Sequence, residues 1–431
     1  MSRNRQALLP ILLVVSLAAS VLAQNQSAST GHVFIGAHVV GIGGAPDVPD
    51  GVIFVDEGKV ARITPAASVR LGRGPQTIDL GGKFVVPGFI SAHAHISDIN
   101  GLQPRAYTKA NTLRQLGVFA RYGITSVWSL GGEDTPAYEA RAAQTSPALN
   151  HARIFLAGRV ISGSTPADAL KLLDEVAARK PDVIKIRVDD NLGTVAKMKP
   201  EVYRAVIAEA HKRGLRVAAH VFYLDDAKDL LKAGVDAIVH SVRDKDVDDE
   251  FISLMKSRQA GYVPTLTREI STFVYESTPA FFSDPFFIKE ADAAVVASLK
   301  TAAKQAEYKS SASAQRYKVA LEVARRNLKR IVDAGIVVAM GTDTGPFPER
   351  FEGYFEHLEM EMMVQAGMTP AQVLKAATSD AARVMGVDAI GTLKPGSWAD
   401  MVVLDSDPRT DITGTRRIQS VWVAGNRVAR P

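Results

Sequence analysis

Between Pro87 and Thr344 the chain repeats one pattern eight times: a short apolar run, followed in most intervals by a longer stretch of helical periodicity. In order, the runs are PGFISAHAH, ITSVWSLG, RIFLAGRVIS, DVIKIRVD, RVAAHVF, AIVHSV, YVPTLT and VVAMGTDT. Stretches such as PEVYRAVIAEAHKRG and LDDAKDLLKAG lie between them and supply the crossovers that parallel strands need. Eight such units within about 260 residues predict an α/β fold, a (β/α)8 TIM-like barrel. A doubly wound open sheet is the competing arrangement, but it normally has fewer strands.

The flanks have a different texture. GHVFIGAHVVGIGG and GVIFVDEGKVARITP are β-branched runs cut by Gly, Pro and Asp, and they read as a small antiparallel sheet. GSWADMVVLDSDP and RIQSVWVAGNRVARP repeat the style after the middle section. One connection is oversized: residues 268–317 carry Phe273, Tyr275, Phe281, Phe282, Phe286 and Phe287 and, in KEADAAVVASLKTAAKQAEYK, a helical pattern. A segment of that length is expected to be an ordered helical insertion, its aromatics forming an apolar pocket, the core of a lid or a contact between copies in a homo-oligomer.

The first residues combine Arg3 and Arg5, an apolar stretch and a small-residue end near Ala23–Gln24, the layout of a secretory signal over 1–23. The apolar run is short for a membrane span, so the expectation is an exported protein, periplasmic or extracellular, with no stable membrane insertion after cleavage. A net charge of +5 without a Lys/Arg block predicts a solvated basic surface and no nucleic-acid site. The absence of cysteine removes disulfides, thiolate ligands and thiol nucleophiles.

In a barrel of this kind the reacting groups sit at the C-terminal ends of the strands. Those ends hold His93 and His95 on the first strand, Lys185 on the fourth, His220 on the fifth, His240 on the sixth and Asp343 on the eighth. Residues two apart on a strand share a face, so His93 and His95 form a two-toothed metal ligand. Four of the nine histidines therefore fall at strand ends, while His32, His38, His151, His211 and His357 read as structural. Lys185 lies inside a β-branched run, where an unpaired ammonium is costly. It either snorkels or pairs with Asp189 or Asp190, or loses its proton and reacts with carbon dioxide to give an anionic carbamate. Asp343 either caps a following helix or binds metal, takes a proton from an activated water and passes it to a leaving amine.

These residues together resemble the amidohydrolase superfamily: PGFISAHAH looks like its first-strand HxH motif, and GTLKPGSWADMVVLD and GMTPAQVLKAATSDAARVMGV resemble its returning C-terminal segment and post-barrel helices. The resemblance implies a small composite β-sandwich domain from 30–86 and 390–431 beside a barrel over 87–389. Within the superfamily, Lys185 is similar to the bridging residue of the binuclear, carboxylated-lysine branch, and the chain resembles the imidazolonepropionase-like group with its Xaa-Pro dipeptidases and carboxypeptidases. Carried over by position, His93, His95 and Asp343 hold one divalent ion, His220 and His240 the second, and carboxylated Lys185 bridges them. Zinc suits such ligands. True imidazolonepropionases lack the bridging lysine, so Lys185 argues against that activity.

The implied function is cleavage of an amide bond of a dipeptide or N-acyl amino acid by a metal-bridging hydroxide. The same hydroxide is open to ring deamination or to opening a lactone or cyclic amide, and a non-catalytic ligand-binding envelope protein is the remaining rival. Among substrate residues, Tyr223 is expected to donate to the developing oxyanion and Arg243 to grip a carboxylate, each lying three residues past a histidine ligand.

Overall fold

The computed structural model describes residues 31–71 and 76–429, so the proposed signal lies outside the described residues. Five strands come first: β1 (His32–Val39), β2 (Val48–Asp56), β3 (Lys59–Pro65), β4 (Gln76–Asp79) and β5 (Phe84–Pro87). Seven short strands follow: β6 (Phe89–Ala94), β7 (Ile124–Ser129), β8 (Arg153–Leu156), β9 (Ile184–Val188), β10 (Val217–Val221), β11 (Ala237–Val239) and β12 (Gly261–Val263). β13 (Met401–Leu404), β14 (Ile418–Val423) and β15 (Asn426–Arg427) come last.

The outer strands form one continuous sheet in the order β15-β14-β13-β5-β1-β2-β3, with β4 also on β1. It is built from both flanks, but it is mixed where an antiparallel sheet was expected. The reason is that β4 and β5 both run alongside β1 in the same direction. The β2–β3 hairpin turns through Glu57 (φ 46°) and Gly58 (φ 76°), the paired positive φ values that a tight hairpin needs. Phe34, Ile53, Val85, Met401 and Val403 bury a separate apolar core on this sheet. Pro87 completes β5 rather than opening the central section.

The central strands are parallel in two groups, β6-β7-β8 and β12-β11-β10-β9. Bridges join the groups at both ends: Ile161 to Ile186 on one side, and Val338 to Tyr262 with Thr344 to Ala94 on the other. The segment 338–344 is the eighth run read from the sequence. It bonds to both neighbours, Ala339 N–H to Tyr262 O (2.9 Å) and His95 N–H to Thr344 O (2.7 Å). The hydrogen-bonded circuit through these segments therefore returns to β6. Helices Lys109–Arg121, Thr135–Ala143, Pro166–Ala178, Pro200–Lys212, Leu224–Ala233 and Asp249–Arg258 separate the strands. Thr108, Thr165 and Asp248 start three of them by accepting a backbone N–H from three residues ahead. No helix among the described residues is long and apolar enough to cross a membrane.

The oversized connection is helical, in short pieces: Leu266–Ile270, Pro285–Ile288, Ala293–Leu299 and Ala302–Ser310. The next helix, Ala312–Asp333, begins before the expected junction at 317, so Tyr317 lies inside it. Phe282 and Phe287 stack at 5.4 Å, and Phe287 meets Phe351 edge-on at 4.8 Å. Tyr275, Phe282 and Phe287 are buried in the main core, so the aromatic content of the insertion is spent on packing it down.

Candidate metal centre

His93, His95, Lys185, His220, His240 and Asp343 line one cavity of about 460 Å³. Ligand atoms of His93, His95 and Asp343 lie within 4.8 Å of one another. His95 Nε2 is 3.0 Å and His93 Nε2 3.4 Å from Asp343 Oδ1. The rings of His220 and His240 are 4.0 Å apart, and His240 lies 4.5 Å from His93. Lys185 Nζ sits 3.3 Å from His93 Nε2. All six residues read from the strand ends thus converge.

The backbone is bent to achieve this. His240 (φ 70°) and Asp343 (φ 63°) both adopt the left-handed conformation. A residue with a side chain pays roughly 1 kcal/mol or more there, a strain that is typical of functional positions. Gly345 makes the turn after Asp343 feasible: at φ 98°, an added Cβ would fall 1.8 Å from His95 O.

Electrostatics favour a neutral, ligand-ready set. Burial holds His93 and His240 well below the ordinary histidine range and takes His220 down to about 3. Burial also lowers Lys185 to about 7, although Asp343 and Glu133 oppose it. The amine makes no ion pair among the described residues: Asp189 bonds His220, and Asp190 accepts from Tyr223. Burial raises the Asp343 carboxyl, but the Arg350 guanidinium beside it outweighs that and keeps it ionised. Asp343 caps no helix, since the next one starts at Tyr354 after Gly353.

The donor set fits divalent ions. His95 Nδ1–H donates to Gly131 O (2.9 Å), which leaves the lone pair on Nε2. His220 Nε2–H donates to Asp189 (2.7 Å), which leaves Nδ1. His240 Nδ1 is engaged by Thr265 Oγ1 at 2.7 Å, and the buried His93 Nδ1 has no hydrogen-bond partner. Such outer partners fix ring orientation in metal sites. Glu133 adds a deeper layer, accepting from Ser129 Oγ, Gly131 N–H and Gly158 N–H and so fixing the carbonyl that holds His95.

The two expected substrate residues are not brought to the cavity. Tyr223 directs its hydroxyl to Asp190 (2.8 Å) at the start of the next helix. Arg243 is fully buried, donating to Val221 O and Ser241 O and pairing with Glu269. Instead Arg187, Arg268, Tyr317, Phe347 and Arg350 line it. Their sequence neighbourhoods carry no signal, because Arg268 and Tyr317 meet only once the insertion has folded. The remaining histidines are satisfied elsewhere: His32 by Gly425 O, His38 by Asp47, His151 by Ala152 O, His211 by Asp236, and His357 by Tyr122 O and Thr415.

Residues 84–428 match the amidohydrolase family, and the chain belongs to it. An uncharacterized protein of Mycobacterium tuberculosis is 27% identical over 383 residues, 86% of this chain and 90% of that one. The imidazolonepropionase of Streptomyces avermitilis is 24% identical over 418 residues, 88% and 87% of the two chains. Among solved structures, a Xaa-Pro dipeptidase with methionine bound in its active site superposes with a TM-score of 0.73 at 19% identity, covering 92% of this chain and 99% of that one. The protein is a hydrolase of a family that uses metal ions and acts on small molecules.

Proposed function

We propose that this chain is an exported, binuclear metal-dependent hydrolase that cleaves the amide bond of a dipeptide or N-acyl amino acid. The observation that carries this reading is the convergence of four histidines, a buried lysine with no ion pair among the described residues and an ionised aspartate in one cavity. On this reading the circuit of parallel strands is a (β/α)8 barrel over 87–389, and the mixed sheet belongs to a composite β-sandwich domain from 30–86 and 390–431.

His93, His95 and Asp343 would hold one divalent ion, His220 and His240 a second, with Lys185, carboxylated on Nζ, between them. Zinc suits these nitrogen and oxygen donors. Two such ions would supply Lewis-acid polarisation of the scissile carbonyl and acidify a water. Asp343, ionised and facing His93 and His95, accepts a proton from the attacking water and returns it to the departing amine. Lys185 is suited to carboxylation because it is buried, lacks a carboxylate partner among the described residues and, lowered by burial to about 7, presents its amine partly unprotonated near neutral pH. The likeness to an imidazolonepropionase favours a second reading, opening or deamination of a cyclic substrate by the same residues.

A hydrolysis screen separates the two. The protein without its first 23 residues, reconstituted with zinc and bicarbonate, is offered dipeptides, N-acyl amino acids, cyclic amides and lactones, with a chelated control. Chelator-sensitive release of amino acids is expected. Ammonia or ring-opened product with no amino acid release would replace the first reading by the second. N-terminal sequencing of the mature protein tests export, with Gln24 as the expected first residue.

A further inference from the structure

The wall of the cavity carries an excess of positive charge. Arg243 Nε and Arg268 Nη1 sit 2.9 and 3.1 Å from the two oxygens of a single carboxylate, Glu269. All three side chains are nearly or wholly buried, and of the three only Arg268 lines the cavity. Arg350 is matched by Asp343, and Arg187 lies 3.7 Å from Asp189. Four guanidiniums therefore meet three carboxylates, and of the two that share Glu269 it is Arg268 that reaches the cavity. A buried cation short of its counter-ion is costly, and an incoming anion relieves the cost. Arg268 is also prepared to receive one. Tyr317 OH accepts from its Nη2 at 3.1 Å, the Tyr317 ring lies 4.3 Å beneath the guanidinium, and its Nε–H has no partner among the described residues.

The opposite charge is missing. Among the described residues lining the cavity the only carboxylate is Asp343, and His95 and Arg350 already engage it. A substrate α-ammonium would find guanidiniums and no free counter-ion. The cavity also has an apolar side: Val195 (52% exposed) and Phe347 (45% exposed) line it.

We propose that the site is specific for an N-acylated amino acid with a free carboxylate, Arg268 and Tyr317 binding the carboxylate and Val195 and Phe347 facing an apolar acyl group, and that it discriminates against the free α-ammonium of a dipeptide. This deepens the amide-hydrolase reading and rests on it. Arg268 is a specificity-determining residue here, and the helical insertion exists in part to deliver it and Tyr317.

The test uses three compounds differing in one charge each: 3-phenylpropanoyl-L-leucine, its carboxamide, and L-phenylalanyl-L-leucine. Their uncleavable ketomethylene isosteres, in which CH2 replaces the amide NH, are titrated calorimetrically into the zinc-loaded full-length protein. The carboxylate isostere is expected to bind at least about tenfold tighter than either of the others, the scale of a charge-assisted contact. Arg268→Gln should reduce that preference to less than about threefold, Arg268→Lys should restore part of it, and Tyr317→Phe should weaken both isosteres that carry a carboxylate and leave the carboxamide unchanged. Circular dichroism checks that each variant folds. Equal affinity for the three isosteres, tighter binding of the ammonium form, or a preference that survives Arg268→Gln would overturn the proposal. Hydrolysis of the three parent amides is followed separately: selective binding without cleavage leaves the anion subsite standing and removes the amide-cleaving reading.

Discussion

Asp189 accepts from His220 Nε2 at 2.7 Å and thereby decides which nitrogen of that ring is left to bind an ion. Asp189→Asn should lower affinity for the metal held by His220 and His240 about 10- to 100-fold, read from metal-buffered titrations, because outer partners set ligand orientation and basicity. Unchanged affinity would show that His220 is held by packing alone. Lys185→Ala should fold, bind one ion instead of two by elemental analysis, and lose roughly 100-fold or more in turnover, the scale of losing a charge-stabilising group worth several kcal/mol. Two tightly held ions and full turnover would remove the carbamate. The six residues were legible as a set: each has a structural explanation taken singly, but their repeated placement in or at the end of successive apolar runs does not. Tyr223 and Arg243 were chosen by nearness in sequence to a histidine, and there the chain turns. Tyr223 precedes a helix and faces Asp190, while Arg243 doubles back under Phe222. Arg268 lies in the short helix Leu266–Ile270 and Arg350 in the loop before Tyr354, and the course of both depends on long-range packing, so no local pattern could mark them.

The helix Tyr354–Gln365 shows how one element pins several others. Glu356 accepts from Ser91 on β6 and from Thr342 and Thr344 on the closing segment, and Glu359 accepts from the backbone of Leu266 and Thr267. Between them His357 bonds Tyr122 O (2.8 Å) and Thr415 Oγ1 (3.0 Å), fully buried. Its burial takes the ring down to about 3 against an ordinary 6.5. A base with a depressed native pKa contributes stability that is present above pH 6.5 and is lost as pH falls from there toward 3. Between pH 7 and 5 the loss is about 2 kcal/mol at about 1.4 kcal/mol per pH unit. In urea denaturation, the stability gap between the wild-type protein and His357→Gln should narrow by about that amount over this interval. A constant gap would mean that His357 does not titrate on unfolding. From sequence His357 read as structural, and so it is. The helix's buried acids were not readable, since Glu356 and Glu359 look like ordinary exposed charges until the closing segment and the loop after β12 are known to lie against them.

At the scale of the whole molecule the outer sheet and the central strands meet across Arg153 on β8 and Asp400 just before β13. They form a buried pair at 2.8 Å, with side chains 1% and 4% exposed. Removing the cation strands Asp400, which also accepts from Ala424 N–H at 2.7 Å. Arg153→Met should cost roughly 3–5 kcal/mol in the free energy of unfolding. A loss under 1 kcal/mol would mean that the sheet is held by apolar contact alone. The alternation of strand and helix was readable because a parallel circuit writes itself as a period along the chain. The parallel pairing of β1 with β4 and β5 was not, because strand direction within a sheet leaves no mark on either strand. The sheet also sets a schedule. β5 lies against β13, with Pro87 opposite Met401, so a strand made early waits for a partner made more than 300 residues later. Until Met401–Leu404 arrives, β5 presents an unpaired edge, the kind of surface on which chains stick to one another. Contacts this distant in sequence also form slowly. Folding of this sheet is therefore gated by the synthesis of Met401–Leu404, and a growing chain has to be kept from its neighbours until then.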